Sequence, residues 1–203
     1  MTSAGTSMKE SVADGGVLVY DPHFFSAPDA DRLLRVLVAE TSWKQEYGRF
    51  GRPFPRLTAL YGDEGLTYRY SGVTYAVLLW TAELDKVRRR VEDAAAAPFN
   101  SVLLNRYRDG RDSMGLHSDD EPELGINPIV PSISLGAERR FVLRHKTKKI
   151  RRDLVLGHGS LLIMAGTLQH HWQHALPKTA EPVGERVNLT FRRIFAELMK
   201  KTP

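Results

Sequence analysis

Apolar positions change their period along this chain. In "SAPDADRLLRVLVAE" (26–40), Leu33, Val36 and Leu37 fall on one helical face, and Ser26 with Asp29 makes a capping-box-like start. "TAELDKVRRRVEDAAAA" (81–97) repeats the spacing with Leu84, Val87 and Val91, behind Thr81 as a cap. "GVLVYDPHFF" (16–25) reads instead as a strand entering a turn, and residues 43–80 as strand-like pieces and turns rich in glycine and aromatics. From Phe99 onward the pattern supports only short strands, over 99–107, 129–135, 140–145, 152–156, 160–165 and 186–194. It predicts no helix there before the last few residues. Helices first and short strands afterwards predict an α+β fold whose second part is a sandwich or barrel. With no internal repeat or long linker, one domain is expected over 15–203, divided into a helical part (15–98) and a strand-rich core (99–195). Residues 1–14 are polar, show no signal-peptide pattern, and are expected to form a disordered leader.

Alternation within the strands says where polar groups point. In "RVNLTFR" (186–192), Val187, Leu189 and Phe191 share one face; Arg186, Asn188, Thr190 and Arg192 share the other. Such a face either meets water or lines a polar cavity in which guanidinium forks match carboxylates. "FNSVLLNRYRDG" (99–110) puts Asn105 and Tyr107 on the face of Leu103, so they can project inward from a buried strand. "GLHSDDE" (115–121) places His117 and Asp119 together, which is equally a solvated acidic loop unless a third ligand exists. "QHHWQHALP" (169–177) offers His170, His171 and His174. Two histidines and a carboxylate form the facial triad of non-haem Fe(II) oxygenases, leaving positions for a bidentate co-substrate and oxygen. The donor set suits Fe(II) or Mn(II) better than a closed zinc site.

Composition narrows the chemistry further. The 203 residues contain no cysteine, which excludes a disulfide framework, a thiolate-zinc site and a cysteine nucleophile. No stretch approaches the roughly 18 apolar residues of a membrane span. A net charge of +5 and a pI near 9.5 favour a polyanionic partner.

Taken together, "NRYRDG" (105–110), "HSDDE" (117–121), "HWQHALP" (171–177) and "RVNLTFR" (186–192) resemble the AlkB family of Fe(II)- and 2-oxoglutarate-dependent nucleic-acid dealkylases. "PRLTALYGDEGLTYRYSG" (55–72) extends the likeness towards the subgroup that repairs duplex DNA. The resemblance implies a double-stranded β-helix (jelly-roll) core with N-terminal helices and a nucleotide-recognition lid. It implies iron held by His117, Asp119 and His174; His174 is preferred over His170 and His171 because the family's third ligand precedes a small residue and a Leu-Pro-like segment. Arg186 would pair with the distal carboxylate of 2-oxoglutarate, helped by Asn105 and Tyr107, while Arg192 and Asn188 would lie by the chelating end. Oxygen is the second co-substrate. The implied reaction hydroxylates an N-alkyl group on a base, and the hemiaminal collapses to the repaired base and an aldehyde, with succinate and carbon dioxide released. Expected lesions are 1-methyladenine and 3-methylcytosine in DNA. RNA or a protein side chain is the alternative substrate, and a non-catalytic nucleic-acid-binding module the alternative from another class.

The resemblance also assigns substrate contacts. Tyr70 would stack on the flipped base with the His117 ring opposite, and Tyr68 would hydrogen-bond the nucleotide. Glu121 would face the base edge, complementing a cationic lesion, while Asp120 points away. Phe50, at the tip of a hairpin in "GRFGRPF" (48–54), would fill the gap left by the flipped base. The run "RHKTKKIRR" (144–152) offers Arg144, Lys146, Lys148, Lys149, Arg151 and Arg152 to phosphates. Plainer readings stand beside these: Tyr70 packed in a sheet, Glu121 in a solvated loop, the basic run a solvated hairpin. A monomer with no membrane association is expected, in a bacterial cytoplasm or, in a eukaryote, the nucleus.

Overall fold

The structure, a computed structural model, describes residues 7–48, 50–66 and 77–195, together with the backbone of the strand residues 68–70 and 73–75. Its elements are β1 (Met8–Val12), β2 (Gly16–Asp21), α1 (Ala27–Glu40), β3 (Leu57–Gly62), β4 (Tyr68–Tyr70), β5 (Val73–Tyr75), β6 (Val77–Leu79), α2 (Ala82–Ala95), β7 (Ser101–Tyr107), β8 (Met114–His117), β9 (Val130–Gly136), β10 (Arg139–His145), β11 (Arg151–Leu156), β12 (Ser160–Gly166), α3 (Leu168–His171), β13 (Trp172–Leu176) and β14 (Arg186–Arg192).

Both long helices form for the reasons their sequences give. Ser26 caps α1 by accepting from the Asp29 N–H, and Ala30, Leu33 and Leu37 make its buried stripe. Thr81 does the same for α2 through the Leu84 N–H, above Leu84, Val87 and Val91. The two stripes pack on one face of an eight-stranded sheet ordered β1-β2-β12-β9-β14-β7-β3-β6. That face is supplied by Val102, Leu104, Ile133, Leu135 and the predicted Val187, Leu189 and Phe191, all essentially without exposure. Each such side chain contributes roughly 1.5–3 kcal/mol of burial, and slipping any of these strands by one residue would bring its polar side chains under the helices.

The other face of the same strands is therefore fixed. It carries Asn105 and Tyr107 from β7, Ser132 and Ser134 from β9, and Arg186, Asn188, Thr190 and Arg192 from β14. A four-stranded sheet ordered β11-β10-β13-β8 covers it, with Phe141, Leu143, Leu162 and Trp172 filling one end of the space between the sheets. This is the jelly roll that the sequence led us to expect, and the polar face of "RVNLTFR" lines its interior rather than meeting water.

Some expectations need correction. Residues 8–14 are ordered: β1 pairs antiparallel with β2 from Met8↔Tyr20 to Val12↔Gly16. An edge strand takes its stability from backbone pairing and cross-strand neighbours, so a polar "MKESV" needs little apolar surface of its own. A short helix, α3, stands at 168–171 where none was expected, and β14 ends at Arg192 rather than 194. The helix expected at the extreme C-terminus lies outside the described residues, as do residues 1–6.

Candidate metal and co-substrate site

His117 ends β8 and His174 lies in β13, and the two are direct partners across the minor sheet. Asp119 follows two residues after β8, fully buried. Donor atoms of all three lie within 4.8 Å of one another. The His117 ring is oriented by Nδ1 bonding to Gly115 O at 2.9 Å, and it meets the His174 ring edge-on at 4.2 Å. Phe141 stacks on the other side of His174 at 5.4 Å. Arg192 donates to Asp119 Oδ1 at 2.7 Å, whereas Asp119 Oδ2 lies 3.8 Å from His174 Nε2 and has no hydrogen-bond partner. A buried carboxylate oxygen left unbonded is costly, and one facing two imidazoles fits a divalent cation.

The protonation states agree with that fit. Burial, reinforced by the neighbouring His117, pushes His174 down to about 3, outweighing Asp119. Burial lowers His117 too, against the pull of Asp119. For Asp119, burial would favour the neutral acid, but Arg192, His174 and His117 hold it at about 2. Two neutral imidazoles and an ionised carboxylate are the forms that coordinate metal.

The cavity beside this cluster is lined by every residue expected to bind 2-oxoglutarate: Asn105, Tyr107, Arg186, Asn188 and Arg192. Arg186 is buried, donates to Ser134 Oγ at 2.8 Å and lies over the Tyr107 ring at 5.3 Å. Its Nε has no partner, and among the described residues no carboxylate pairs with it. Asn188 donates to Ser132 Oγ at 2.7 Å and Ile133 O at 2.8 Å, and Asn105 Oδ1 accepts from Arg56 Nε at 2.9 Å. The cavity therefore offers a buried cation to an anionic ligand, next to a metal-competent triad.

Several contributors escaped the sequence reading. Ser132 and Ser134 alternate with Ile133 in "VPSISLG", the same signal that exposed the face of β14. Arg56 and Arg139 gave no such signal. Arg139 is buried at the start of β10 and donates to Asp109 O, Asp112 O and Pro177 O, at 3.1, 2.9 and 2.7 Å. It pins the "RDGRD" loop that follows Tyr107 against the end of β13. Gly110 allows that approach, since a Cβ there would sit 2.6 Å from Thr179 O.

Glu121 sits half-buried beside the cluster. Burial pushes its carboxyl up to about 7 against the opposing pull of Arg192, and Oε2 has no hydrogen-bond partner. This gives a prediction for the metal-free protein. Below pH 6.5 the unfolded chain takes up a proton that folded His174 refuses, so His174 removes about 2 kcal/mol of stability between pH 7 and pH 5. Glu121 acts oppositely. Above pH 4.5 the unfolded chain releases a proton that the folded one keeps, so stability rises by about 2 kcal/mol over the same descent. His117, also lowered by burial, adds to the His174 loss, so wild type should lose stability from pH 7 to pH 5, and Glu121→Gln should lose about 2 kcal/mol more than wild type in urea denaturation. Parallel profiles for the two proteins would contradict this.

The remaining expected contacts are spread more widely. The side chains of Tyr68 and Tyr70 lie outside the described residues. Phe50 is 89% exposed with φ 76° at a hairpin tip closed by the Tyr47–Pro53 bridge and a Gly48 N–H to Arg52 O bond of 2.9 Å. In the basic run, Arg144 and Lys149 have no ion pair among the described residues. Lys146 pairs with Asp120, Lys148 with Asp14, Arg151 with Asp153 and Arg152 with Glu10. Asp120 thus points away from the cavity, as expected. The run borders an open groove of about 760 Å³ on the outer face of the minor sheet.

A second trio, Asp14, His145 and His171, also brings donor atoms within 4.8 Å. Both nitrogens of His145 are already committed. Nδ1 accepts the N–H groups of Lys148 (3.0 Å) and Thr147 (3.2 Å), so the proton sits on Nε2 and is donated to Asp14 at 2.6 Å. A metal at Nε2 would have to displace that proton. The trio instead fastens the β10–β11 hairpin to residues 13–15, another reason why residues 8–14 are ordered.

A jelly roll enclosing two histidines, one carboxylate and a guanidinium-lined cavity defines a non-haem iron oxygenase that takes an anionic co-substrate. Comparison with known proteins agrees. The family model described as the 2OG-Fe(II) oxygenase superfamily matches residues 17–192. The "DNA oxidative demethylase ALKBH2" of Homo sapiens is 39% identical over 208 residues, 95% of this chain and 79% of that protein. The same protein from Mus musculus is 40% identical over 186 residues, 84% of this chain and 77% of that one. "Alpha-ketoglutarate-dependent dioxygenase alkB homolog 3" of Rattus norvegicus is 41% identical over 194 residues, 87% of this chain and 63% of that one. The solved structure of OsALKBH1 superposes with a TM-score of 0.66 at 18% identity, covering 92% of this chain and all of that one, a likeness of fold. The chain belongs to the 2OG-Fe(II) oxygenase superfamily, in its AlkB family. Fe(II) is accordingly its metal, and 2-oxoglutarate and oxygen its co-substrates.

Proposed function

We propose that this protein removes N-alkyl groups from bases of DNA, with His117, Asp119 and His174 as iron ligands and the cavity below Arg186 as the 2-oxoglutarate site. The observation that carries the reading is the single cavity shared by the unpartnered Asp119 Oδ2 and the uncompensated Arg186. Iron bound there supplies the oxygen chemistry that couples decarboxylation of 2-oxoglutarate to hydroxylation of an N-alkyl carbon.

The chain's own residues do the rest. Arg192 occupies Asp119 Oδ1, so the carboxylate turns its other oxygen towards the histidines. Arg186 receives the distal carboxylate of the co-substrate; Asn105 and Tyr107 sit on the strand beside it. Leu103, Met114 and Leu176 keep the cavity wall apolar and exclude water from the reacting carbon. A base reaches such a buried site only when flipped out of the stack, which costs least for a lesion that cannot pair. Glu121 suits the cationic 1-methyladenine and 3-methylcytosine, and Tyr70 and Tyr68 complete the base pocket. Phe50 is the wedge: a bulky residue held at positive φ and almost fully exposed is a strained arrangement that suits insertion into a duplex. Arg144 and Lys149 lead the phosphate contacts. No helix among the described residues is long and apolar enough to cross a membrane.

The test is repair of a 1-methyladenine oligonucleotide, single- and double-stranded, with Fe(II), 2-oxoglutarate and oxygen. Restored adenine with formaldehyde is expected, and its loss in His174→Ala. Phe50→Ala should lower duplex repair by about tenfold or more while single-strand repair changes little, because only the duplex has a gap to fill. Turnover of 2-oxoglutarate without repair of either strand form would overturn the substrate assignment.

A further inference from the structure

Three successive residues fasten the iron-ligand loop to the segment that precedes His174. Ser118 Oγ donates to Trp172 O at 2.8 Å. The Asp119 N–H donates to Gln169 Oε1 at 3.0 Å. Asp120 accepts from Lys146 Nζ at 3.0 Å, and the same ammonium donates to Gln169 O at 3.0 Å.

Gln169 is unusual among these. Its side chain is fully buried on a helix of one turn, and among the described residues its Nε2 reaches only Met164 Sδ, at 3.9 Å. A thioether is a weak acceptor, so burial leaves this amide poorly satisfied at one end. Its one strong bond is to the backbone of the carboxylate in the triad. A leucine would fill the same buried space without that cost.

We propose that Gln169 and Lys146 are positioning residues for the metal carboxylate. The proposal rests on the reading of His117, Asp119 and His174 as the iron site. Gln169 fixes the backbone of Asp119 while Arg192 fixes its Oδ1, so the remaining oxygen has one direction open to it. Lys146 locks the next residue of the loop to the carbonyl of Gln169, making the clasp one connected unit. Lys146 is thereby reassigned: its donors serve the loop rather than phosphate, unlike those of its neighbours Arg144 and Lys149.

The experiment titrates Co(II) into metal-free wild type, Gln169→Leu, Lys146→Met, Lys146→Arg and His174→Ala, following the visible Co(II) spectrum and the affinity. Outer groups that orient metal ligands typically change affinity by about 10–100-fold. Gln169→Leu and Lys146→Met should therefore weaken Co(II) binding by about tenfold or more and alter its spectrum, and Lys146→Arg should restore much of both. His174→Ala should lose the site. A folded Gln169→Leu with wild-type affinity and spectrum would overturn the inference while leaving the triad reading intact. Failure of wild type to bind, or binding unchanged by His174→Ala, would overturn the triad reading itself. If Gln169→Leu does not fold, Lys146→Met, at a partly exposed position, decides. Unchanged Co(II) affinity there, with a salt slope of DNA binding reduced by about 1, would return Lys146 to the phosphate contacts and overturn its role in the clasp.

Discussion

Asp119→Ala is expected to consume no 2-oxoglutarate above a metal-free background, and to be less stable than metal-free wild type by roughly 3–5 kcal/mol. The first effect follows from losing the only carboxylate of the triad. The second follows from Arg192, which is buried and donates to Asp119 Oδ1 at 2.7 Å. Deleting one member of a buried ion pair removes the counter-charge but leaves the other ion out of water, and the desolvation penalty of the survivor then stands against folding. Asp119→Asn separates the two effects. Its amide oxygen can still accept from Arg192, so it should lose turnover as completely while losing less stability. Urea denaturation with a 2-oxoglutarate consumption assay checks both, and an alanine variant as stable as wild type would show that the pair contributes nothing to the fold.

How much of this was legible beforehand depended on how local the cause was. The helices α1 and α2 carry their own caps and apolar stripes, β14 carries a period of two and β7 puts Asn105 and Tyr107 on the face of Leu103, so their places and inward faces could be read, whereas β12, almost entirely apolar, shows its place but not its faces. β13 could not be read. Trp172, His174 and Leu176 do alternate inward, but a histidine in the middle position breaks the apolar pattern because that position serves the metal. Functional sites are where local rules fail. β1 was missed for a different reason, being held by pairing to β2 and by Asp14 bonds to His145 and Lys148 more than 130 residues away. Arg56, Arg139 and Gln169 act on partners distant in sequence, so no window around them announces a role. The basic run showed its charge but not the acids that meet it: Glu10, Asp14, Asp120 and Asp153 can be found only in three dimensions. Apart from the Lys146–Asp120 pair of the clasp, such exposed pairs are worth about 0–1 kcal/mol each and yield readily to phosphate.

Arg186→Leu is expected to act in the opposite sense on stability and as severely on the reaction. Removing one side of a buried, charge-assisted contact costs about 2–5 kcal/mol, so the KM for 2-oxoglutarate should rise by roughly thirtyfold or more. Arg186→Lys should recover only part of this, because a point charge cannot reproduce a two-pronged bond to carboxylate. Burial lowers Arg186 to about 10, against the pull of Tyr107, so its charge is complete at any ordinary assay pH. A 2-oxo acid with no distal carboxylate should bind wild type poorly and the leucine variant no worse; if its KM rises equally, Arg186 is shaping the cavity rather than reading the anion. Stability distinguishes the two charges. Asp119 and Arg192 neutralise each other within the chain, whereas Arg186 has Ser134 and the Tyr107 ring but, among the described residues, no carboxylate. Replacing such an ion by an apolar side chain is often neutral or stabilising. Ligand-free Arg186→Leu should therefore unfold no more easily than wild type, and only wild type should gain stability when 2-oxoglutarate is added, as the proposed pairing of Arg186 with the distal carboxylate requires.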